Sequence, residues 1–137
     1  IIGGGMVGCE VAEYLADKGK RVTIVEKLPE IAGGMDGSTR RLLLERLNRL
    51  SVRMITRAEV LSLQGETAIL RQAGERVEVE TEAVVAAMGA AADRTCEDFR
   101  SCGLPFYSIG DCAGVRDIAA AIQEGFAAAT GIGPGPV

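Results

Sequence analysis

The stretch "IIGGGMVGCEVAEYLADKGKRVTIVE" (residues 1–26) decides the fold class of this chain. Two isoleucines lead into a glycine-rich turn. The apolar residues after it recur at helical spacing as far as Gly19, a residue type typical of a C-terminal helix cap. The apolar run 22–25 has the composition of a short strand that is buried on both faces of a parallel sheet. A strand, a glycine turn, a helix and a second strand in this order predict a βαβ unit.

The segments that follow predict a second helix and an antiparallel sheet. Leucines at positions 43, 47 and 50 have helical spacing, and the run 52–55 predicts a third strand. Between residues 57 and 80 the apolar period changes to two. Breaks at Gln64-Gly65 and Ala73-Gly74 divide this stretch into three short strands, which we interpret as an antiparallel meander.

The rest of the chain predicts two more strands and a helix. "AVVAAMG" (83–89) predicts a buried strand that ends in a glycine turn, and "FYSIGD" (106–111) predicts a last short strand. A final helix is expected to have one apolar face, formed by Ile118, Ile122, Gly125 and Ala129. The predicted fold class is therefore α/β, a Rossmann-like parallel sheet with a three-stranded antiparallel β-meander crossover.

Composition excludes several classes of partner. The chain has 137 residues, near the usual size of one domain, a formal net charge of −4 and no histidine. No basic run favours nucleic acid or an anionic membrane, and no apolar stretch approaches the roughly 20 residues of a membrane span. The cysteines show no CxxC pair, so we predict no metal site and interpret them as reduced thiols of a cytoplasmic protein. They are Cys9, Cys96, Cys102 and Cys112.

The three spaced glycines of the opening turn form a G-x-G-x-x-G motif. Gly3 permits the tight turn, Gly5 leaves room between the backbone and a pyrophosphate, and Gly8 allows close packing of helix and strand. Amides at the helix N-terminus favour a diphosphate. Glu26 lies 23 positions after Gly3, near the expected spacing of about 20, where a carboxylate accepts hydrogen bonds from an adenosine ribose and repels a 2′-phosphate. The motif by itself suits either NAD or FAD.

Four stretches together resemble a known family. They are "IIGGGMVGCEVAEYLADKGKRVTIVEKLPEIAGGMD" (1–36), the meander, "AVVAAMGA" (83–90) and "FYSIGDC" (106–112). The chain resembles the carboxy-terminal part of NADH:flavin oxidoreductases of the 2,4-dienoyl-CoA reductase and enoate reductase type, which are related to the pyridine nucleotide-disulfide oxidoreductases. In those proteins an NAD(P) domain is inserted within an FAD domain. The resemblance implies an NAD(H)-binding domain over residues 1–95, with a truncated first strand, and a connection plus a remnant of the FAD-binding domain over 96–137.

The resemblance also implies roles for individual residues. Glu10 corresponds to a glutamate beside the nicotinamide, although it also suits the positive end of the helix dipole. Asp111 corresponds to a flavin contact, although it also suits a cap before the last helix. Cys9 and Cys112 are interpreted as packing residues. Lys27, with Arg40 and Arg41, adds positive charge that would weaken a preference for NADH over NADPH. The implied cofactor-binding residues are Gly3, Gly5, Met6, Val7, Gly8, Glu26, Lys27, Gly89, Gly110 and Asp111.

These roles imply a domain that binds NADH and presents its nicotinamide to FAD for hydride transfer. The partners implied are the dinucleotide and upstream flavin-binding regions of a parent chain, with FMN and a 4Fe-4S cluster further upstream. The missing initiating methionine and the short first strand predict an excised fragment that is inactive alone. An alternative is a non-catalytic ADP-binding module, as in amine-dehydrogenase relatives, and another is a methyltransferase-like Rossmann domain. The final electron acceptor and the oligomeric state are left open.

Overall fold

A computed structural model of the chain describes residues 1–93 and 95–131. The chain divides into two compact units, residues 1–89 and residues 90–137. The first unit holds the βαβ unit and the meander, and the second holds the final helix. No helix in the described ranges is both long enough and apolar enough to cross a lipid bilayer.

The predicted βαβ unit is confirmed. Helix α1 ends in a Schellman motif, because Gly19 has a φ of +76° and the amide of Lys20 donates to the carbonyl of Leu15 over 3.1 Å. Strands β1 and β2 pair in parallel, with Ile24 opposite Met54. The elements are α1 (Met6–Asp17), β1 (Thr23–Val25), α2 (Gly37–Arg49) and β2 (Arg53–Ile55).

Helix α2 is bounded by its own side chains and turns. The Asp36 carboxylate caps its N-terminus by accepting hydrogen bonds from the amides of Ser38 and Thr39 over 2.9 and 3.3 Å. At the other end Ser51, with a φ of +57°, takes the left-handed position that glycine takes after α1. These caps place Leu47 against the sheet, where it is fully buried.

The opening isoleucines extend the parallel sheet beyond β1. The amide of Val25 donates to the carbonyl of Ile1 over 2.8 Å, and the amide of Ile2 donates to the carbonyl of Val85 over 2.9 Å. Ile2 therefore bridges β1 and residue Ala86 in parallel register.

The prediction of a buried strand over residues 83–89 is wrong. Only one bridge forms there, and Val84 and Met88 are 39% and 72% exposed. Ile1 and Ile2 are too short a segment to pair with a longer strand. No element described in the first unit covers the side chains of Val84 and Met88.

One apolar cluster joins the helices to the parallel strands. Cys9 and Ala12 of α1 and Ile24 of β1 are fully buried there, with Leu43 and Leu47 of α2. The carboxylate of Glu13 also accepts two hydrogen bonds from the guanidinium of Arg46, which links the exposed edges of the two helices. Helix α1 is thereby held against the sheet with its N-terminus beside the glycine turn.

The predicted antiparallel meander is confirmed, with both breaks in the expected places. Ala73 and Gly74 have φ values of +51° and +86°, typical of the two-residue type I′ turn that joins hairpin strands. Leu70 is fully buried in a second apolar cluster that includes Val25 and Ile55. The strands are β3 (Ala58–Gln64), β4 (Thr67–Gln72) and β5 (Glu75–Glu80), in that spatial order.

In the second unit the final helix is confirmed but the last strand is wrong. Residues 106–109 are irregular and Gly110–Cys112 forms a 3-10 turn. A strand requires a ladder partner, and the part of this unit that the structure describes contains only helices and loops. Helix α3 spans Ile118–Gly131.

The predicted apolar face of α3 is present, because its four residues recur at helical spacing within the helix, but three of them are exposed. Ile118 and Ile122 are 80% and 67% exposed, and Ala129 is exposed as well. The less exposed positions include Ala121, whose β-carbon lies 3.5 Å from a β-carbon built on Gly110. Small side chains there allow the 3-10 turn to approach the helix closely, whereas isoleucines would keep it away.

Candidate functional site

Two glycines of the opening motif, Gly3 and Gly8, lie too close to backbone carbonyl groups to carry a side chain. Gly3 has a φ of +104°, and a β-carbon there would lie 2.3 Å from the carbonyl oxygen of Ala87. A β-carbon on Gly8 would lie 2.0 Å from the carbonyl oxygen of Gly3, so the helix and the turn are in direct backbone contact. These two glycines are required by the fold itself.

Gly5 differs from its neighbours because nothing surrounds it. It is the N-cap of α1, with a φ of −71° that any residue adopts, and a β-carbon there would meet no atom within 4 Å. The fold therefore does not require glycine at this position. The open space it leaves lies directly in front of the helix N-terminus, where a pyrophosphate requires close approach to the backbone.

The helix N-terminus presents free amide groups to that space. The first intrahelical hydrogen bond runs from the amide of Cys9 to the carbonyl of Gly5 over 3.0 Å, so the amides of Met6, Val7 and Gly8 have no acceptor within the helix. No side chain among the described residues caps them. The side chains of Met6 and Val7 are 56% and 60% exposed. This arrangement fits an anionic group held by backbone amides and the helix dipole.

Glu26 is held against the same turn. Its carboxylate accepts a hydrogen bond from the amide of Gly4 over 2.6 Å and another from the amide of Leu28 over 2.7 Å. The motif identified Glu26, but its bond to Gly4 was missed by the sequence reasoning. A carboxylate has about four acceptor positions, so both oxygens keep capacity for further donors such as ribose hydroxyls.

Gly4 was also missed as a site residue. A β-carbon there would lie 2.6 Å from the Ile31 side chain and 3.1 Å from the β-carbon of Glu26. Its carbonyl accepts a hydrogen bond from the amide of Ala32 over 2.6 Å. The run of three consecutive glycines was the available signal, because the motif itself requires only the first and third of them.

Lys27, Arg40 and Arg41, the cations that the sequence suggested would affect selectivity, each have a partner. Lys27 lies 3.4 Å from the carboxylate of Glu59, and the Arg40 side chain donates to the carbonyl of Ile31 over 2.8 Å. Arg41 pairs with Glu45 one turn further along α2, over 2.7 Å. The two arginines, which the sequence suggested would weaken a preference for NADH, are therefore held by partners on α2 and its preceding loop.

The remaining predicted residues of the first unit are exposed. Glu10 lies one turn after Met6 on α1, and none of the described residues forms an ion pair or a side-chain hydrogen bond with it. Gly89, with a φ of +87°, follows the segment whose Ala87 carbonyl lies against the Gly3 turn. The roles of both residues stay predictions.

Gly110 and Asp111 belong to the second unit and have their own supporting contacts. The amide of Gly110 donates to the carboxylate of Glu124 over 2.8 Å, and this bond together with Arg116 lowers the pKa of that carboxyl below its usual value. Asp111 is exposed, and among the described residues it accepts a single long hydrogen bond of 3.4 Å, from the amide of Arg116. The sequence reasoning missed Glu124, although an acid inside an alanine-rich helix is a visible signal.

The described thiols differ in their exposure. Cys9 is fully buried, its Sγ lies 3.4 Å from the carbonyl of Gly4, and burial raises the pKa of the thiol. Cys102 and Cys112 are exposed. Within the described residues, no group of three cysteines and carboxylates is arranged to hold a metal ion.

These features are those of a Rossmann-like dinucleotide-binding domain. The family follows from a comparison with known proteins: residues 1–93 match the sequence profile described as pyridine nucleotide-disulphide oxidoreductase. The chain belongs to this family, which confirms the superfamily that the four stretches predicted.

Several larger oxidoreductases are similar to nearly the whole chain. It is 32% identical over 131 residues to the bilirubin reductase of Mediterraneibacter gnavus, covering 94% of this chain and 20% of the relative. It is 35% identical over 133 residues to the NADH oxidase of Thermoanaerobacter brockii, covering 92% and 20%. A solved structure of 2-naphthoyl-CoA reductase is 30% identical, with a TM-score of 0.77 and coverage of 97% and 21%. The chain thus spans about one fifth of these relatives.

Proposed function

We propose that this chain is the NADH-binding domain of an FAD-dependent oxidoreductase and that it presents the nicotinamide to FAD for hydride transfer. The observation that carries the proposal is the open space at Gly5, bounded by the free amides of α1 and by the Glu26 carboxylate fixed to Gly4. The pyrophosphate is bound by the amides and the adenosine ribose by Glu26.

The same geometry supports selectivity for NADH. The 2′-phosphate of NADPH would face the Glu26 carboxylate, and Arg40 and Arg41 have other partners. Met6 and Val7 line the approach to the amides, and we assign Lys27 and Gly89 to the rim of the site. Glu10 is the residue we assign to the neighbourhood of the nicotinamide.

Gly110 and Asp111 are the residues of this chain that we assign to contact with FAD. FAD, when bound in the whole protein, would supply the hydride-accepting chemistry, and the residues of this chain would supply binding and orientation rather than a nucleophile or base. The Gly110 amide is already bonded to Glu124, which leaves the exposed Asp111 carboxylate as the group available to the flavin nucleotide. We assign residues 1–95 to the NAD domain and 96–137 to the connection and the FAD domain.

The substrate class we propose is an unsaturated acid or thioester, reduced by way of FMN and a 4Fe-4S cluster elsewhere in the whole protein. Support comes from relatives named cinnamate reductase, 27% identical over 136 residues, and 2-naphthoyl-CoA reductase. This is the substrate class of the 2,4-dienoyl-CoA and enoate reductase type that the sequence resembles.

A non-catalytic ADP-binding module is the second candidate. The proposal rests on the α1 amides and Glu26, and both would bind the ADP half of a dinucleotide. Calorimetric titration of the chain with NADH and with ADP separates the two functions. The hydride-donor domain is expected to bind NADH more tightly than ADP, because the nicotinamide half adds contacts near Glu10. Equal affinities would favour the ADP module, and binding of neither ligand would refute both.

A further inference from the structure

A cluster of opposite charges borders the segment that follows Glu26. Lys27, Arg57 and Arg71 bring three positive charges to an open cleft of about 360 Å³, and Glu59 brings one negative charge. The turn at Ala73 and Gly74 closes one side. All of these residues belong to the first unit, so the cleft is formed within one compact body.

Backbone hydrogen bonds place this cleft beside the segment from Glu26 to Leu28. The amide of Ala58 donates to the carbonyl of Glu26 over 3.0 Å, and the amide of Arg57 donates to the carbonyl of Leu28 over 3.1 Å. The start of β3 is therefore bonded to both sides of Lys27. Glu59 follows immediately and faces that lysine.

Glu59 binds two of the three cations. Its two carboxylate oxygens lie 3.4 Å from the ammonium of Lys27 and 2.6 Å from the guanidinium of Arg71. Hydrogen bonds from both cations lower the pKa of the carboxyl, so Glu59 is ionised at neutral pH. The Arg57 side chain forms no ion pair within residues 1–93 and 95–131.

We propose that Glu59 is a specificity-determining residue of the dinucleotide site. Its carboxylate pairs with Lys27 and Arg71 and lowers the net charge of the cleft from three positive units to two, which weakens the attraction of the cleft for a phosphomonoester carried on the ribose at Glu26. The inference rests on the proposed function, because it assigns the ribose to Glu26. Selectivity against the 2′-phosphate then depends on two acids, one that repels it directly and one that pairs with two of the three nearby cations.

The test removes one charge without changing the size of the side chain. Glu59→Gln is compared with Glu78→Gln, a matched control on the same sheet whose partner, Arg76, lies outside the cleft. Both variants gain one unit of net charge. NADH and NADPH affinities of the whole chain are measured by calorimetry at low salt.

Glu59→Gln is expected to raise NADPH affinity relative to NADH affinity by about fivefold. This is the change that removing one unit charge causes at a 2′-phosphate when the separation is taken as about 7 Å in water. Glu78→Gln is expected to leave the ratio unchanged. High salt is expected to reduce the shift, because exposed charges are screened. Adding Lys27→Gln to Glu59→Gln is expected to reverse part of it. An unchanged ratio in Glu59→Gln, or an equal shift in both variants, would overturn the proposal.

A second probe separates this inference from the proposed function. Adenosine 2′-monophosphate carries the phosphomonoester without a pyrophosphate, and its binding is followed by NMR at the amides of Lys27, Arg57 and Arg71. If the unmodified chain bound neither dinucleotide, the proposed function would be wrong. Stronger binding of this probe to Glu59→Gln than to Glu78→Gln would still support the role of Glu59 in controlling the cleft, and equal binding would refute it.

Discussion

Replacing Gly5 by valine tests whether the opening turn is the dinucleotide site. The residue has a φ of −71°, and a β-carbon there meets nothing within 4 Å, so valine fits the backbone. Valine is a poorer N-cap than glycine by about 1 kcal/mol or less, which lowers Tm by about 5 °C at most. The fold is therefore expected to survive.

The effect on binding is expected to be far larger. The valine side chain would fill the space in front of the free amides of Met6, Val7 and Gly8. A hydrogen bond to a charged group contributes about 1.5 to 3 kcal/mol. Loss of two such bonds amounts to about 3 to 6 kcal/mol, which lowers NADH affinity by at least about 100-fold.

The assay is calorimetric titration with NADH, with circular dichroism as the check on folding. Gly37→Val is the matched control, because Gly37 is the first residue of α2 and is equally unobstructed. The control is expected to bind NADH as the unmodified chain does. A folded Gly5→Val protein with unchanged affinity would show that the dinucleotide binds elsewhere.

Three further outcomes are expected. Glu26→Ser removes the carboxylate facing the ribose and is expected to raise NADPH affinity relative to NADH by about tenfold; tighter binding of NADPH than NADH by the unmodified chain would contradict the role of Glu26. Asp36→Ala removes the α2 cap and is expected to lower Tm at neutral pH. Hydrogen bonds from Ser38 and Thr39 depress the pKa of Asp36 in the folded state, so its stabilising effect is complete above the unfolded pKa of about 3.9 and disappears as pH falls below it. The Tm difference between the two proteins is expected to shrink in acid, and a constant difference would contradict the charged cap. The chain is also expected to purify colourless and to leave acceptors unreduced by NADH, because one exposed carboxylate at Asp111 does not offset the roughly 4 to 15 kcal/mol cost of fixing a large ligand; a stoichiometric flavin spectrum would contradict this and reassign the glycine turn to FAD.

Local patterns in the sequence were sufficient to predict the βαβ unit and the meander. Helical and two-residue periods depend on neighbours within a few positions, and the glycines at 19, 65 and 74 all adopt the positive φ values that end such segments. The glycines of the motif were identified for the same reason. The structure adds a second reason for two of them, because the carbonyl oxygen of Ala87 leaves no room for a side chain at Gly3 and the carbonyl oxygen of Gly3 leaves none at Gly8.

The two failed strands show what local pattern does not contain. Residues 83–89 and 106–111 have strand-like composition, but a strand exists only where a ladder partner is present. Among the described residues, the first segment forms a β-bridge with Ile2 alone, and the second has no strand partner within its unit. On α3, Ala121 lies close to the turn at Gly110, and composition alone does not reveal this contact.

The sequence by itself determined the type of fold, the glycine turn and the acid at the end of β1, because their spacing along the chain reflects local geometry. Only the tertiary structure decided that Glu26 accepts a hydrogen bond from the amide of Gly4. It also decided that Arg40 and Arg41 have partners of their own and that Glu59 pairs with Lys27 and Arg71. Several of these contacts join residues far apart in the chain. A charged side chain pairs with the opposite charges and carbonyl groups that folding brings close to it. The packing of whole helices and strands decides which groups these are, so the sequence around the charged residue does not predict them.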